Sequence, residues 1–151
     1  MKNKIEPCLR IFALLVITAA LASCAPMTFV RTMSPGWNAI EIRKDLSYDN
    51  AWNSVVDLIS KEFDIEIISK EDGYLRTGWL YTWTGKLSES YKVRAVVKFS
   101  VDRKQVEVKS EAHHYATGFL GVGEGWVMGT DERLMTTLRT DIMGKVSRIS
   151  R

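Results

Sequence analysis

The chain has 151 residues, 46% of them hydrophobic and 26% charged, with 21 basic and 18 acidic side chains giving a formal net charge of +3. That length suits one domain with a single core and argues against two. With so small an excess and no clustered Lys/Arg run, neither a nucleic-acid partner nor polybasic attachment to a membrane is indicated.

Most of the excess sits at the start of the chain. Lys2, Lys4 and Arg10 precede an apolar run over residues 11–21, and small residues close it, which is the order of a secretory signal. The run is too short to span a bilayer as a helix. Leu21-Ala22-Ser23-Cys24 at its exit resembles a bacterial lipobox. The resemblance implies cleavage before Cys24, a diacylglyceryl group on its thiol and acylation of the new amino terminus. The alternative is an ordinary secretory signal with an incidental cysteine. Loss of residues 1–23 would leave 18 basic and 17 acidic residues, a net charge of +1. Cys8 would leave with the signal and Cys24 would be consumed as a thioether, so no disulfide and no thiol nucleophile are expected in the mature domain. Acyl chains would hold the protein at about 0.8 kcal/mol per buried methylene. Ala25, rather than aspartate, follows the cysteine. By resemblance to sorted lipoproteins this implies the outer membrane, on its periplasmic side.

Residues 25–36 include Pro26, Pro35 and Gly36 without a sustained period, which predicts a flexible tether of at most about 40 Å. The single domain is expected over residues 37–151. Residues 37–44 alternate, with Ile40 and Ile42 on one face and Glu41 and Arg43 on the other, as a first strand does. Ser47 is then a candidate N-cap with Asp49 in the first turn, and Tyr48, Trp52, Val55, Ile59 and Phe63 form one helical stripe. From Asp64 the period falls to 2. Ile65 and Ile67 open a strand, Lys70-Glu71-Asp72-Gly73 turns, and further strands are predicted over residues 74–84, 91–101 and 105–115. After a glycine-rich segment Thr130 is the expected cap of a second helix, with Leu134, Leu138, Ile142, Val146 and Ile149 on one side. The order β-α-β-β-β-β-α predicts a two-layer α+β fold: an antiparallel sheet of about five strands with two helices packed on one face.

In this order, Ala51-Trp52 with Val55, then Phe63-Asp64-Ile65, then Asp72-Gly73-Tyr74-Leu75 leading to Thr77, resemble a BamC-like lipoprotein domain. The resemblance covers about residues 37–115, and the closing helix by topology. It implies a helix-grip type of fold and an accessory role at the outer membrane, where BamC belongs to the machine that inserts β-barrels. BamC has two such domains and a long N-terminal segment that contacts a partner subunit. The present chain has one domain and a short tether, so the resemblance extends to fold and compartment but not to the partner.

Chemistry is sparse. His113 and His114 are adjacent on a predicted strand and point to opposite faces, so they cannot share a metal ion. The glycine pattern from Gly118 to Gly129 lacks both Gly-x-Gly-x-x-Gly and Gly-Lys-Ser/Thr, which rules out a nucleotide site of either kind. Its apolar residues Phe119, Leu120, Val122, Trp126 and Met128 predict either a loop that caps the core or an exposed interaction loop facing an envelope protein or the membrane. Trp79, Tyr81 and Trp83 share one strand face and are either packed under the helices or displayed as an aromatic strip for glycan or a small apolar ligand. No serine sits in a nucleophile elbow, and no cofactor or metal is expected. The expected function is a non-enzymatic, lipid-anchored envelope module working by protein contact, with the glycan module as the alternative.

Overall fold

The structure, a computed structural model, describes residues 27–81, 90–116 and 124–147. Period-2 alternation, broken only at Val96 in β5, makes β5 (Tyr91–Phe99) and β6 (Gln105–Ala116) the longest paired strands among the described residues, in register from Tyr91 opposite His114 to Phe99 opposite Val106. Around them lie β1 (Phe29–Arg31), β2 (Asn38–Glu41), β3 (Ile65–Ser69), β4 (Tyr74–Thr77) and β7 (Gly125–Asp131). The helices are α1 (Tyr48–Ile59) and α2 (Glu132–Val146). All strand pairs are antiparallel, in the order β1-β7-β6-β5-β4-β3. β2 pairs with the first residues of β6, while β7 pairs with its last.

The class is α+β as expected, but the sheet has seven strands rather than five. Phe29–Arg31, expected within the tether, is an edge strand on β7. Gly125–Asp131, expected to be too glycine-rich for a regular element, is a strand as well. Glycine permits this pairing because a side chain would obstruct it: a Cβ on Gly129 would lie 2.4 Å from both Phe29 Cε2 and the Val30 carbonyl oxygen. The strand expected over residues 74–84 stops at Thr77. There the threonine hydroxyl accepts the Ala95 N–H at 3.0 Å, and pairing resumes only as a single bridge between Leu80 and Val93.

Ser47 caps α1 as predicted, its Oγ accepting the Asn50 N–H at 3.3 Å. The cap of α2 is Asp131, one residue beyond the expected Thr130. The buried stripes Ala51, Trp52, Val55 and Ile59 of α1 and Leu134, Leu138, Ile142 and Val146 of α2 join one core with Tyr91, Val93, Ala95, Val97 and Phe99 of β5. Both helices therefore cover the same face of the sheet. Among the described residues no helix covers the other face, called the open face. Among the described residues no helix is long and apolar enough to cross a membrane.

Asp131 is fully buried where β7 becomes α2. Its carboxyl group accepts from Thr28 Oγ1 at 2.7 Å, Tyr91 Oη at 2.5 Å and Leu134 N at 2.8 Å, and Ser110 Oγ bonds both its backbone N–H and its carbonyl. Burial, then the bond to Asp131, push the Tyr91 hydroxyl pKa well up. Asp131→Ala removes a helix cap and strands the buried Tyr91 hydroxyl and the half-buried Thr28 hydroxyl, so about 3 kcal/mol of stability should be lost in urea unfolding. Gly129→Ala should instead detach β1 while the remaining fold persists, which limited proteolysis before β2 would report.

Candidate functional site on the open face of the sheet

Each β5 residue that points away from the helices is set by the pleat: Lys92, Arg94, Val96 and Lys98. Residues directly opposite on a neighbouring strand share that side, which adds Glu107, Lys109, Glu111 and His113 from β6, with Tyr115 two residues on, then Met128 opposite His113 and Trp126 opposite Tyr115 on β7. Leu80 pairs with core-facing Val93, so Trp79 and Tyr81 on either side of it also face outward. For these two residues the packing expected beneath the helices does not occur. Trp83 lies outside the described residues.

The two aromatic groups that looked independent in the sequence meet on this face. Lys92 Nζ lies 4.8 Å from the Trp79 ring centroid, 5.8 Å from Tyr81 and 4.4 Å from Trp126. The His113 ring bridges them, 4.5 Å from Trp79 and 6.3 Å from Trp126, and Tyr115 packs edge-on to Trp126 at 5.4 Å. Tyr81, Trp126 and Met128 are 38%, 41% and 43% exposed, so the platform opens to solvent. Phe119, Leu120 and Val122 lie outside the described residues. Trp126 and Met128 belong to a strand and not to the expected loop.

Charged side chains continue the surface. Arg94 stacks on Trp79 at 4.3 Å and pairs with Glu111 at 2.6 Å, whose other oxygen takes Lys109 at 2.7 Å. Lys109 in turn lies 4.9 Å from the Trp37 ring. Burial alone would raise the Glu111 carboxyl, but hydrogen bonds from Lys109 and Arg94 outweigh it and hold the group below the usual carboxylate range. Among the described residues no carboxylate lies within salt-bridge distance of Lys92, which rests on rings alone. Exposed cation–π contacts are worth about 0.5–1 kcal/mol each, enough to position the ammonium without removing it from water.

The arrangement can stack flat groups and offer a cation. Among the described residues it sets no nucleophile against a base, and no three His, Cys, Asp or Glu side chains cluster as a metal site. His114 turns to the other face, 5.9 Å from Phe29. The sequence marked Trp79, Tyr81, Trp126 and Met128 but missed Lys92, Arg94 and His113. Alternation placed those three on the wet side, yet nothing in the sequence showed that they lie between two distant aromatic groups.

Burial lowers the pKa of both histidines, with Lys92 and Arg94 adding to the effect at His113. Both imidazoles therefore bind protons less readily folded than unfolded. Stability should fall as pH drops below the ordinary histidine value of 6.5 and level off beneath the lowered values. Urea unfolding on either side of that pH checks this, and the double variant H113Q/H114Q should flatten the dependence. Comparison with protein-family models gives no match, and comparison with curated proteins gives none.

Proposed function

We propose that the chain is a non-catalytic accessory lipoprotein of the bacterial envelope, held to the periplasmic side of the outer membrane by Cys24. Its work is contact, and its contact surface is the open face of the sheet. One observation carries the reading: Trp79 and Tyr81 from one part of the chain and Trp126 from another converge on Lys92. Monomeric proteins rarely leave aromatic side chains clustered in water without a partner. The sequence around Cys24 supports the anchor, and the resemblance to BamC-like lipoproteins supports a role in assembly or maintenance of the outer membrane.

The exposure of Tyr81 beside a cation favours a second reading, in which the same rings stack on cell-wall glycan or a small apolar ligand. Tryptophan fluorescence titrated with soluble peptidoglycan fragments separates the two, since only the second predicts a saturable change.

The contact reading is tested in intact cells by chemical crosslinking followed by recovery of the protein. The double variant W79A/Y81A should keep its circular dichroism spectrum and its acylation but lose its envelope crosslinks. An unchanged set of crosslinks would remove the open face from the proposal. Cys24→Ser should abolish acylation and move the protein out of the membrane fraction, and retention of acyl chains in that variant would overturn the assignment of the anchor.

A further inference from the structure

We infer that the β1–β7 margin of the open face is a membrane-contact surface, seated in the headgroup layer of the bilayer that holds the anchor. The inference rests on the acylation of Cys24 proposed above. Only Ala25, Pro26 and Met27 separate Cys24 from Thr28. Thr28 is fixed to the fold: its hydroxyl donates to Asp131 at 2.7 Å and its carbonyl accepts the Glu132 N–H at 2.9 Å. Four residue steps span at most about 14 Å, so this margin cannot leave the bilayer surface as a domain on a dozen-residue tether could.

The side chains found at that margin suit the place. Met27 is fully exposed, Met33 is 81% exposed, and Val30 and Met128 are among the exposed large apolar residues. Val30 lies opposite Thr130, two residues along β7 from Met128, and the Thr32 N–H donates to the Met128 carbonyl at 3.2 Å with Met33 next in the chain, while Met27 stands at the other end of β1 beside Thr28. The patch therefore sits at the root of the anchor. Among the described residues the other exposed large apolar side chains lie elsewhere, Val101 on a turn, Ile67 and Ile68 on β3, Trp37 ahead of β2, and Tyr81 and Trp126 on the aromatic platform. Arg31, turned to the other side of β1 by its pairing with Gly129, supplies a cation at the same edge for lipid phosphate, and Trp126 stands two residues before Met128 on β7, the residue type that collects at the membrane–water boundary.

Depth follows from the backbone. β1 is the last strand on its side of the sheet, and an unpaired strand edge cannot enter hydrocarbon, where nothing would bond its N–H and C=O groups. The headgroup layer can bond them. A lipid surface is also the occupant that the anchor keeps at high local concentration. Seated this way, the Trp79–Lys92–Trp126 platform is held beside the bilayer in a fixed orientation.

The test uses the full mature chain, acylated and reconstituted into vesicles of phosphatidylethanolamine and phosphatidylglycerol. With Cys24 acylated, a cysteine introduced by Met33→Cys or Met128→Cys is the only free thiol and takes a nitroxide label, as does Lys61→Cys on the helix side as a control. Labels at positions 33 and 128 should be several-fold less accessible to a water-soluble nickel relaxer than the label at 61, and more accessible to oxygen. Equal nickel accessibility at all three positions on acylated protein overturns the membrane seat and leaves the anchor standing. An N-terminal peptide whose mass lacks acyl chains overturns the anchor and the seat together. Labels that stay wet in vesicles but become protected in native membranes mean that an envelope macromolecule covers the margin, which also overturns the lipid seat.

Discussion

A single buried carboxyl group holds the domain together at the place where most of its elements meet. Asp131 caps α2, takes the Tyr91 hydroxyl from β5, takes the Thr28 hydroxyl next to β1, and has its own backbone bonded by Ser110 of β6. A buried carboxyl needs several donors to offset its desolvation, and here each donor comes from a different part of the chain. The requirement therefore fixes the start of the second helix, the position of the last strand and the attachment of the first. Because β1 is among the attached elements, the same group decides how closely the fold follows Cys24.

The open face follows from a different constraint. The pleat sends alternate residues of β5 and β6 away from the helices, so a strand that contributes Tyr91, Val93, Ala95, Val97 and Phe99 to the core must turn Lys92, Arg94, Val96 and Lys98 to the other side, where Val96 is itself buried. Lys92 then falls between rings contributed from either side of it, and Arg94 between Trp79 and Glu111. Core and candidate surface are two sides of the same strands. A one-residue slip of register would exchange them, which ties the site to the stability of the fold.

The two proposals draw on one arrangement. The margin that the proposed anchor would keep near the bilayer carries methionines and Val30, while the platform beside it mixes aromatic rings with cations. Apolar flexible side chains suit a fluid lipid surface, and rigid rings with a positioned ammonium suit a shaped partner. Under the two proposals, a gradient from one to the other would give the anchored protein both a seat and a working side.

The amino-acid sequence by itself determined the α+β class, both helices with the Ser47 cap, and the long paired strands, because periods of 3.6 and 2 and the capping residues are local properties. It also singled out Trp79, Tyr81, Trp126 and Met128. Only the tertiary structure decided that residues near Phe29 form a strand, that the Gly125–Asp131 segment pairs, and that Asp131 rather than Thr130 caps α2. Each depends on partners far along the chain: β1 exists because Gly129 lets Phe29 and Val30 approach, and the cap is fixed by Thr28 and Tyr91 as much as by Leu134. The site divides in the same way. Residue type is written in the chain, but adjacency across strands is set by register, and register brought Lys92 and His113 between two aromatic groups that the sequence keeps more than forty residues apart.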